Sequence, residues 1–496
     1  MKNNYKISYL SLFIFILQGF PLLMNGQVTT FDKIYPTSIN QSGTSIQQSG
    51  KDVLPTSDGG YIIVATTENN IVNDTDVRIM KTDSLGNTLW IKTYGGSKPE
   101  YPNCILKSND GNYFIVGFSQ SFGGGDQDIY LIKINPSGDL IWSKTYGGPG
   151  DEDGQEILAT DDGNYVINST SNSLNLANTD MELIKIDTAG VMIWTKNYGY
   201  PTTYESCRSV RKCLDGGFIL AGKTAPDVNS VAKMYLVKTN SLGDTVWTKT
   251  YGGPDSYEGK FILANTDGSY TIGMDDSSGT RDSDVRIMKI DASGTILWNN
   301  KSYGGNLKDI CKMIQPTSDG GYIVGAISRS FGWINPQMWL LKLDASGDTT
   351  WTRHFGSAYH NHCYSARQTP DGGYIAVGHS RNAVDDWQVM LVKINSSGNF
   401  EPQVVPTEIE ELALNNIINF YPNPSNGIVK IDLSGDLTAS ILKIQNAMGQ
   451  EVFSQTINTS NQVDSRSIDL NGKEPGIYFL TIQSATNLTT KKLILE

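Results

Sequence analysis

The sequence predicts an all-β protein, a closed ring of seven four-stranded antiparallel sheets followed by a smaller β-sandwich. Three observations carry that prediction. The first is a repeat: Asp-Gly recurs at Asp58, Asp110, Asp162, Asp215, Asp267, Asp319 and Asp371, in steps of 52, 52, 53, 52, 52 and 52 residues. Seven copies at one period mark a repeat architecture rather than a single core. The second is composition. Gly supplies 50 of 496 residues, charged residues only 18%, and no stretch sustains the apolar i, i+3, i+4, i+7 spacing of a helix. The third lies at the ends of the array. The last copy has no fourth strand, "NFEPQVV" standing after Gly398, while "FDKIY" at Phe31–Tyr35 precedes the first copy and supplies one. Closure by that strand removes an open sheet edge; a linear stack of repeats would instead need distinct caps at both ends.

Taken in order, the chain opens on a secretory-leader pattern. Lys2 and Lys6 precede the apolar run Leu10–Leu17, and Gly26 marks a cleavage point before Gln27, so residues 1–26 are expected to be removed. No other segment is apolar enough to cross a bilayer, and no transmembrane span is expected in the mature protein. Each repeat then reads as four strands. In the sixth copy these are Cys311–Thr317, Tyr322–Ser328, Met338–Asp344 and Thr349–Phe355. The Asp-Gly turn, expected to be type I′, joins the first two, and the "ASG" turn joins the last two. Seven such units make residues 27–402 a seven-bladed β-propeller. In the fourth strands, Trp and Tyr four residues apart ("WTKTY") face one side and read as packing wedges between blades. Trp298 and Tyr303 stand one residue further apart, which marks a bulge.

The run "KIDASGTILW" (Lys289–Trp298) resembles the blade-docking motif of quinoprotein-type propellers, through Asp291, Gly294 and Trp298. That resemblance supports the fold alone, since the vicinal cysteines of the quinone site are missing. Residues 403–418 read as a linker. Beyond it, "NFYPNPSNGIVKIDL", "ILKIQNAMGQEVFSQ" and "PGIYFLTIQSATNLTTKKLILE" alternate strands with Gly, Asn and Pro turns, as a small Ig-like β-sandwich would. Residues 419–496 also resemble the type A C-terminal sorting domain of the type IX secretion system of Bacteroidetes. The residues concerned are Tyr421, Pro422, Asn423, Pro424 and Gly427, then Gly449, Gly476 and Tyr478, and finally Lys491 and Lys492. The resemblance implies recognition by the type IX machinery, passage across the outer membrane, then removal of the domain with release or surface anchoring.

The formal net charge of −12 argues against a nucleic-acid partner. The sequence has no G-x-S-x-G elbow, Walker loop or H-E-x-x-H motif. Cys207 and Cys213 are six residues apart on one predicted strand, roughly 20 Å, too far to bridge, and the five cysteines read as small buried thiols. Tight turns fall on one face of the ring and variable loops on the other. Loops on a rigid scaffold are the usual carriers of binding, so the variable face and its channel mouth form the expected site. Glu100, Glu152, Glu205 and Asp309 stand in register just before the first strands, with Glu258 displaced by one. As a ring at the mouth they would suit Ca²⁺ or a polycation; as solvated loop acids they would bind nothing. Apart from Ca²⁺ no cofactor is expected.

Two residues further on, Gly50, Pro102, Gly154, Cys207, Gly259, Cys311 and Cys363 are small, as strands converging on an axis require. The next position holds Lys51, Asn103, Gln155, Arg208, Lys260, Lys312 and Tyr364, a partly basic ring that would line the channel and suit an anionic ligand. His360 and His362 would share a strand face and could hold a metal. Trp333, in a variable loop, could stack on a sugar. The leading expectation is a non-enzymatic binding or adhesion module for glycan or protein. The alternatives are a polysaccharide-active enzyme, with Glu152 and Glu205 as its carboxylates, and a structural surface protein.

Overall fold

The computed structural model describes residues 30–36, 38–39, 45–69, 74–174, 178–253, 257–276, 284–332, 334–384, 386–400, 418–433, 440–446, 450–457, 464–483 and 488–496. The expected leader and most of the linker, together with Trp333 and Gly449, lie outside these residues. The chain divides into two compact units, Met1–Glu401 and Pro402–Glu496.

The first unit is a seven-bladed β-propeller. Blade 1 runs through Ser45–Pro55, Tyr61–Asn69, Asp74–Thr82 and Thr88–Tyr94, with the two-residue strand Ser38–Ile39 added at its first strand. Blades 2 to 7 begin at Glu100–Lys107, Glu152–Ala159, Tyr204–Lys212, Tyr257–Ala264, Asp309–Pro316 and Asn361–Gln368. Blade 7 takes its fourth strand from the other end of the array. Phe31–Tyr35 pairs antiparallel with Trp387–Ile394, Phe31 opposite Lys393 and Tyr35 opposite Val389. The closure expected from the sequence is therefore present.

Burial explains why each strand carries the residues it does. The second and third strands are buried on both faces, so "YFIVGFS" and "DIYLIKI" are nearly continuous apolar runs. The core lies between blades: Ile62, Val64 and Ile79 of blade 1 pack with Ile115 and Ile132 of blade 2. The fourth strands alternate half-buried and exposed residues, and their inward aromatics dock one blade on the next. Tyr146, Tyr198, Tyr251 and Tyr303 donate to the carbonyls of Gly190, Gly243, Gly294 and Gly347 at 2.8, 2.6, 2.6 and 2.5 Å, and Tyr94 donates likewise to Gly138. Tyr35 continues the series across the closure, reaching Gly86 at 2.7 Å. Blade 6 has Phe355 instead, which meets Phe400 edge-on at 5.7 Å. Gly190 has φ +73, and a Cβ there would lie 2.7 Å from Trp142, so the turn is glycine both for its backbone and for its neighbour. The bulge expected near Trp298 is present: the pairing shifts between Ile287–Lys301 and Lys289–Trp298.

The Asp-Gly turns differ from expectation. Gly59 has φ 81, but the lone positive φ among the described non-glycine residues is that of Phe331, so Asp58 cannot fill a type I′ position. Gly59 N bonds Thr56 O at 3.0 Å and Thr56 N bonds Gly60 O at 2.9 Å. This is a three-residue loop, a type I turn closed by glycine in the left-handed region. Asp58 is selected for its side chain, which accepts from Gly60 N at 3.0 Å and from the Lys81 ammonium at 2.9 Å. The same ion pair recurs in every blade: Lys133–Asp110, Lys185–Asp162, Lys238–Asp215, Lys289–Asp267, Lys342–Asp319 and Lys393–Asp371, at 2.5 to 3.0 Å.

The second unit contains a three-stranded sheet (Ile418–Tyr421, Ile428–Leu433, Asp464–Asp469) and a four-stranded one (Glu451–Ile457, Ser440–Asn446, Gly476–Gln483, Leu488–Leu495). Val429, Ile431, Leu442, Ile444, Leu480 and Leu493 fill the core, giving the expected Ig-like sandwich. No helix among the described residues is long and apolar enough to cross a membrane.

Candidate functional site

A β-bulge repeated seven times builds the site. In every first strand the pairing skips one residue, between Gly50 and Asp52, Pro102 and Cys104, Gly154 and Glu156, Cys207 and Ser209, Gly259 and Phe261, Cys311 and Met313, and Cys363 and Ser365. The skipped residues are Lys51, Asn103, Gln155, Arg208, Lys260, Lys312 and Tyr364. An unpaired bulge residue is re-aimed by the local kink, and all seven line one central cavity of about 360 Å³. Of the small residues before the bulges, Gly50, Gly154, Cys207, Gly259, Cys311 and Cys363 meet the preceding blade: a Cβ on Gly154 would stand 2.8 Å from Gly117 O.

The cavity wall is electrically uneven. Arg208 Nε donates to Glu258 Oε1 at 2.7 Å and Lys260 Nζ to Glu258 Oε2 at 2.5 Å. Burial opposes ionisation of Glu258, but Lys260 and Arg208 outweigh it and hold the carboxyl at about 2. Asp153 accepts from Asn103 at 3.0 Å and Gln155 at 2.5 Å; burial raises its pKa, with Arg208 opposing. On the cavity lining itself, Asp52 bridges three blades, accepting from Arg367 at 2.9 Å, Ser365 at 2.7 Å and Ile105 N at 3.1 Å. Glu156 is held by Arg211, Ser209 and Val210 N at 2.7, 2.8 and 2.9 Å. On the opposite arc the Tyr364 ring has Lys51 Nζ at 4.8 Å and Lys312 Nζ at 5.7 Å from its centroid. Burial lowers the Lys51 pKa; Glu68 opposes this and Lys312 adds to it.

The register acids do not form the ring expected at the mouth. Glu100, Glu152, Glu205 and Asp309 are 0% exposed and Glu258 4%. Glu152 accepts from Gly148 N at 2.9 Å, Ser171 Oγ at 2.8 Å and Ser173 Oγ at 2.5 Å. Glu100 accepts from Gly96 N, Ser119 Oγ and Ser121 N, Asp309 from Gly305 N, Arg329 N and Ser330 Oγ, and Glu205 from the hydroxyls of Thr203 and Thr224. These four tie the variable loops to the blades. Each also faces a second carboxylate. A Cβ on Gly147 would meet Asp128 Oδ1 at 2.1 Å and Glu152 Oε2 at 2.2 Å, and Asp76 with Glu100, Asp180 with Glu205 and Asp284 with Asp309 close in the same way over Gly95, Gly199 and Gly304. At the blade 6–7 junction the pair is Gln337 and Asn361, in direct hydrogen bond at 3.1 Å. Burial, Asp74 and Glu100 together raise Asp76 to about 6. Only Glu258, displaced by one residue, reaches the channel ion pairs.

His360 and His362 stay near one another: His360 stands just before the strand Asn361–Gln368, its carbonyl accepts from Arg381 N at 2.8 Å, and it lies close enough to lower the proton affinity of both His362 and His379. The neighbour of His362 is His379, directly opposite on the next strand, with ring centroids 4.4 Å apart. His379 stacks on Trp387 at 4.2 Å, and its Nδ1 lies 3.1 Å from Ser49 Oγ. Burial lowers both histidines, to about 4 for His362, helped by Lys312, and to about 2 for His379, helped by His362 and Lys51. Among the described residues no three His, Cys, Asp or Glu side chains come together as a metal site. None of the five cysteines is in a disulfide, and burial raises Cys207 and Cys363 to about 12.

In the second unit, Asn423 ties the Tyr-Pro-Asn-Pro segment to the last strand. It donates to Lys492 O at 3.1 Å and accepts from Ile494 N at 2.8 Å. A Cβ on Gly427, φ 121, would fall 2.1 Å from Asn471 Oδ1. Tyr478 is buried and donates to Glu474 O at 2.7 Å. Tyr421 is 49% exposed, Lys492 is exposed and Lys491 half-buried.

No curated protein matches the chain. Among solved structures it is similar to PorZ of Porphyromonas gingivalis, described as an essential bacterial surface component of the type-IX secretion system. The identity is 12% and the TM-score 0.41, over 90% of this chain and 59% of that one. The chain thus spans 59% of the length of PorZ. It is also similar to the β-propeller domain of the Trilobed protease from Pyrococcus furiosus, at 9% identity and TM-score 0.41, over 73% of this chain and 99% of the other. Residues 419–496 match the family of secretion system C-terminal sorting domains. The chain therefore carries a type IX sorting tail that engages that machinery, and it is exported to the cell surface or beyond.

Proposed function

We propose that the propeller is a binding module for glycan or protein, shown at the cell surface or released, with its ligand site in the channel cavity and its mouth on the variable face. The convergence of seven bulge residues from seven blades on one polar cavity is the observation that carries this reading. The cavity size falls at the lower end of ligand pockets. The carboxylates named for a hydrolase, Glu152 and Glu205, are buried loop ties, which favours binding over turnover. A glycan array combined with a polysaccharide-hydrolysis screen on the full chain tests the reading. Binding without product release is expected. Turnover lost in Asp153→Asn would establish the enzyme instead, because Asp153 bonds the cavity residues Asn103 and Gln155 and burial raises its pKa.

A further inference from the structure

We infer that the channel ligand is an anionic sugar, uronate- or sulfate-bearing, whose charged group seats between Lys51 and Lys312 beside Tyr364. This rests on the binding reading above and narrows it to one arc of the wall.

Three blades build the arc. Lys51 comes from blade 1, Tyr364 from blade 7 and Lys312 from blade 6, each at its blade's bulge. Both ammonium groups lie over the same tyrosine ring, at 4.8 and 5.7 Å, so two like charges converge on one small region. The acids that line the channel have partners of their own: Asp52 is held by Arg367, Ser365 and Ile105 N, and Glu156 by Arg211, Ser209 and Val210 N. Glu68 lies near enough to Lys51 and Tyr364 to raise the pKa of each, so it offsets part of the charge of the arc. Two residues before each bulge, on the same face of the strand, blades 3 and 5 carry Asp153 and Glu258, which flank Arg208 and neutralise that side. The equivalent positions in blades 1, 6 and 7 are Ser49, Ile310 and His362, none of them acidic. The arc continues outward in the same sign. Arg329 and Arg381 both lie close enough to His362 to depress its proton affinity, and Arg381 covers Trp387 at 4.9 Å. A protein of net charge −12 has thus gathered cations at one side of its channel, and a low-dielectric cleft of one sign focuses counter-charge into itself.

The chemistry of the remaining wall favours a sugar. Asn103 and Gln155 face the cavity with amides, and Tyr364 adds a hydroxyl; hydroxyl-rich ligands are recognised by such groups. About 360 Å³ accommodates one or two sugar rings, so the arc would hold one charged residue while the chain leaves past Arg329 and Arg381. Lysine presents a compact charge that suits sulfate and carboxylate alike.

The test is titration of the full chain with polygalacturonate, dextran sulfate, uncharged dextran, polyglutamate and inorganic sulfate. At least one anionic polysaccharide binds, more weakly as salt rises, and dextran does not. Charge-assisted contacts are strong, so Lys51→Met and Lys312→Met each weaken binding about tenfold or more, Lys51→Arg and Lys312→Arg restore most of it, and Lys212→Ala, at the turn end of its strand, changes nothing. Melting followed by tryptophan fluorescence verifies that each variant is folded. Dextran binding as tightly as the charged polymers, or undiminished binding by both methionine variants, overturns the anionic-sugar inference and leaves the binding reading standing. Polyglutamate or sulfate alone binding as tightly as the polysaccharides overturns the sugar assignment. If neither these probes nor any array ligand binds, both conclusions fall.

Discussion

Replacing Glu152 separates a structural carboxylate from a catalytic one. In Glu152→Leu, Gly148 N and the hydroxyls of Ser171 and Ser173 lose their acceptor at a fully buried site. An unsatisfied buried donor costs roughly 1–3 kcal/mol. The hydroxyls can rotate toward other acceptors and the amide cannot, so the total is about 3 kcal/mol. For a ring of roughly 370 residues, the unfolding entropy near 60 °C is about 0.8 kcal/mol per degree, and the melting temperature falls by about 4 °C. Glu152→Gln behaves differently. Its Oε1 can keep Gly148 N while the serine hydroxyls turn to accept from Nε2, and the amide no longer repels Asp128. The expected drop is about 1 °C or less. Tryptophan fluorescence reports the propeller alone, because all nine tryptophans precede residue 400. A leucine variant melting with the wild type, or a glutamine variant that keeps its stability and loses ligand turnover, would refute the assignment.

Between about pH 4 and 6.5 buried groups pull stability in opposite directions. Asp76 is raised from 3.8 to about 6 by burial, Asp74 and Glu100, so the folded state binds a proton more tightly than the unfolded chain; its contribution is fullest below about 4 and is lost as pH rises to about 6. Burial lowers His362 and His379 from 6.5 to about 4 and about 2, so their contribution is present above about 6.5 and is lost as pH falls, and the two together outweigh Asp76. Asp58, Asp267 and Asp319 are lowered to about 2, so their contribution is present above about 4 and lost as pH falls toward 2. Stability should therefore rise from pH 2 to about 6.5; urea denaturation from pH 2 to 8 reads the rise, and Asp76→Asn steepens it between about pH 4 and 6. Asp371→Ala should destabilise more than Lys393→Met, by about 1–3 kcal/mol, since it strands an ammonium whose side chain is 1% exposed; paired chemical melts show the order. Gly190→Ala should cost about 2 kcal/mol or more, for its φ of +73 and its contact with Trp142. Thiol titration should find Cys207, Cys311 and Cys363 unreactive until the ring unfolds, because all three are fully buried.

The ring was legible because its signals are local and repeated. Turn glycines, aromatic spacing and a fixed period survive in a single sequence, and the strand missing from one end was present at the other. The sixth blade's strands fall within two residues of their expected limits. The turn type was misjudged because Asp-Gly fits two hairpin geometries, and the lysine that chooses between them sits 22 or 23 residues downstream. That lysine recurs in all seven repeats and was a visible signal. The acids were misplaced through strand parity. Glu152 shares a face with Gly154, which packs against the preceding blade, so it could not also share the face of Gln155. Glu258 has the other parity, in step with Lys260, and reaches the channel. The bulges were hidden because a skipped residue exists only relative to a partner strand. The pairing of His362 with His379 is likewise a matter of register between strands.

Residues 31 to 35 hydrogen-bond with residues 389 to 393, which places a knot of dependence between the two extremes of the array. Bringing such distant segments together costs on the order of 5 kcal/mol in chain entropy, recovered only once the final blade has formed. A molecule threading through a pore, with one extremity on either side, would leave Trp387–Ile394 with a bare hydrogen-bonding edge. Assembly is therefore tied to transit: the last contact can be made only where head and tail meet in one compartment.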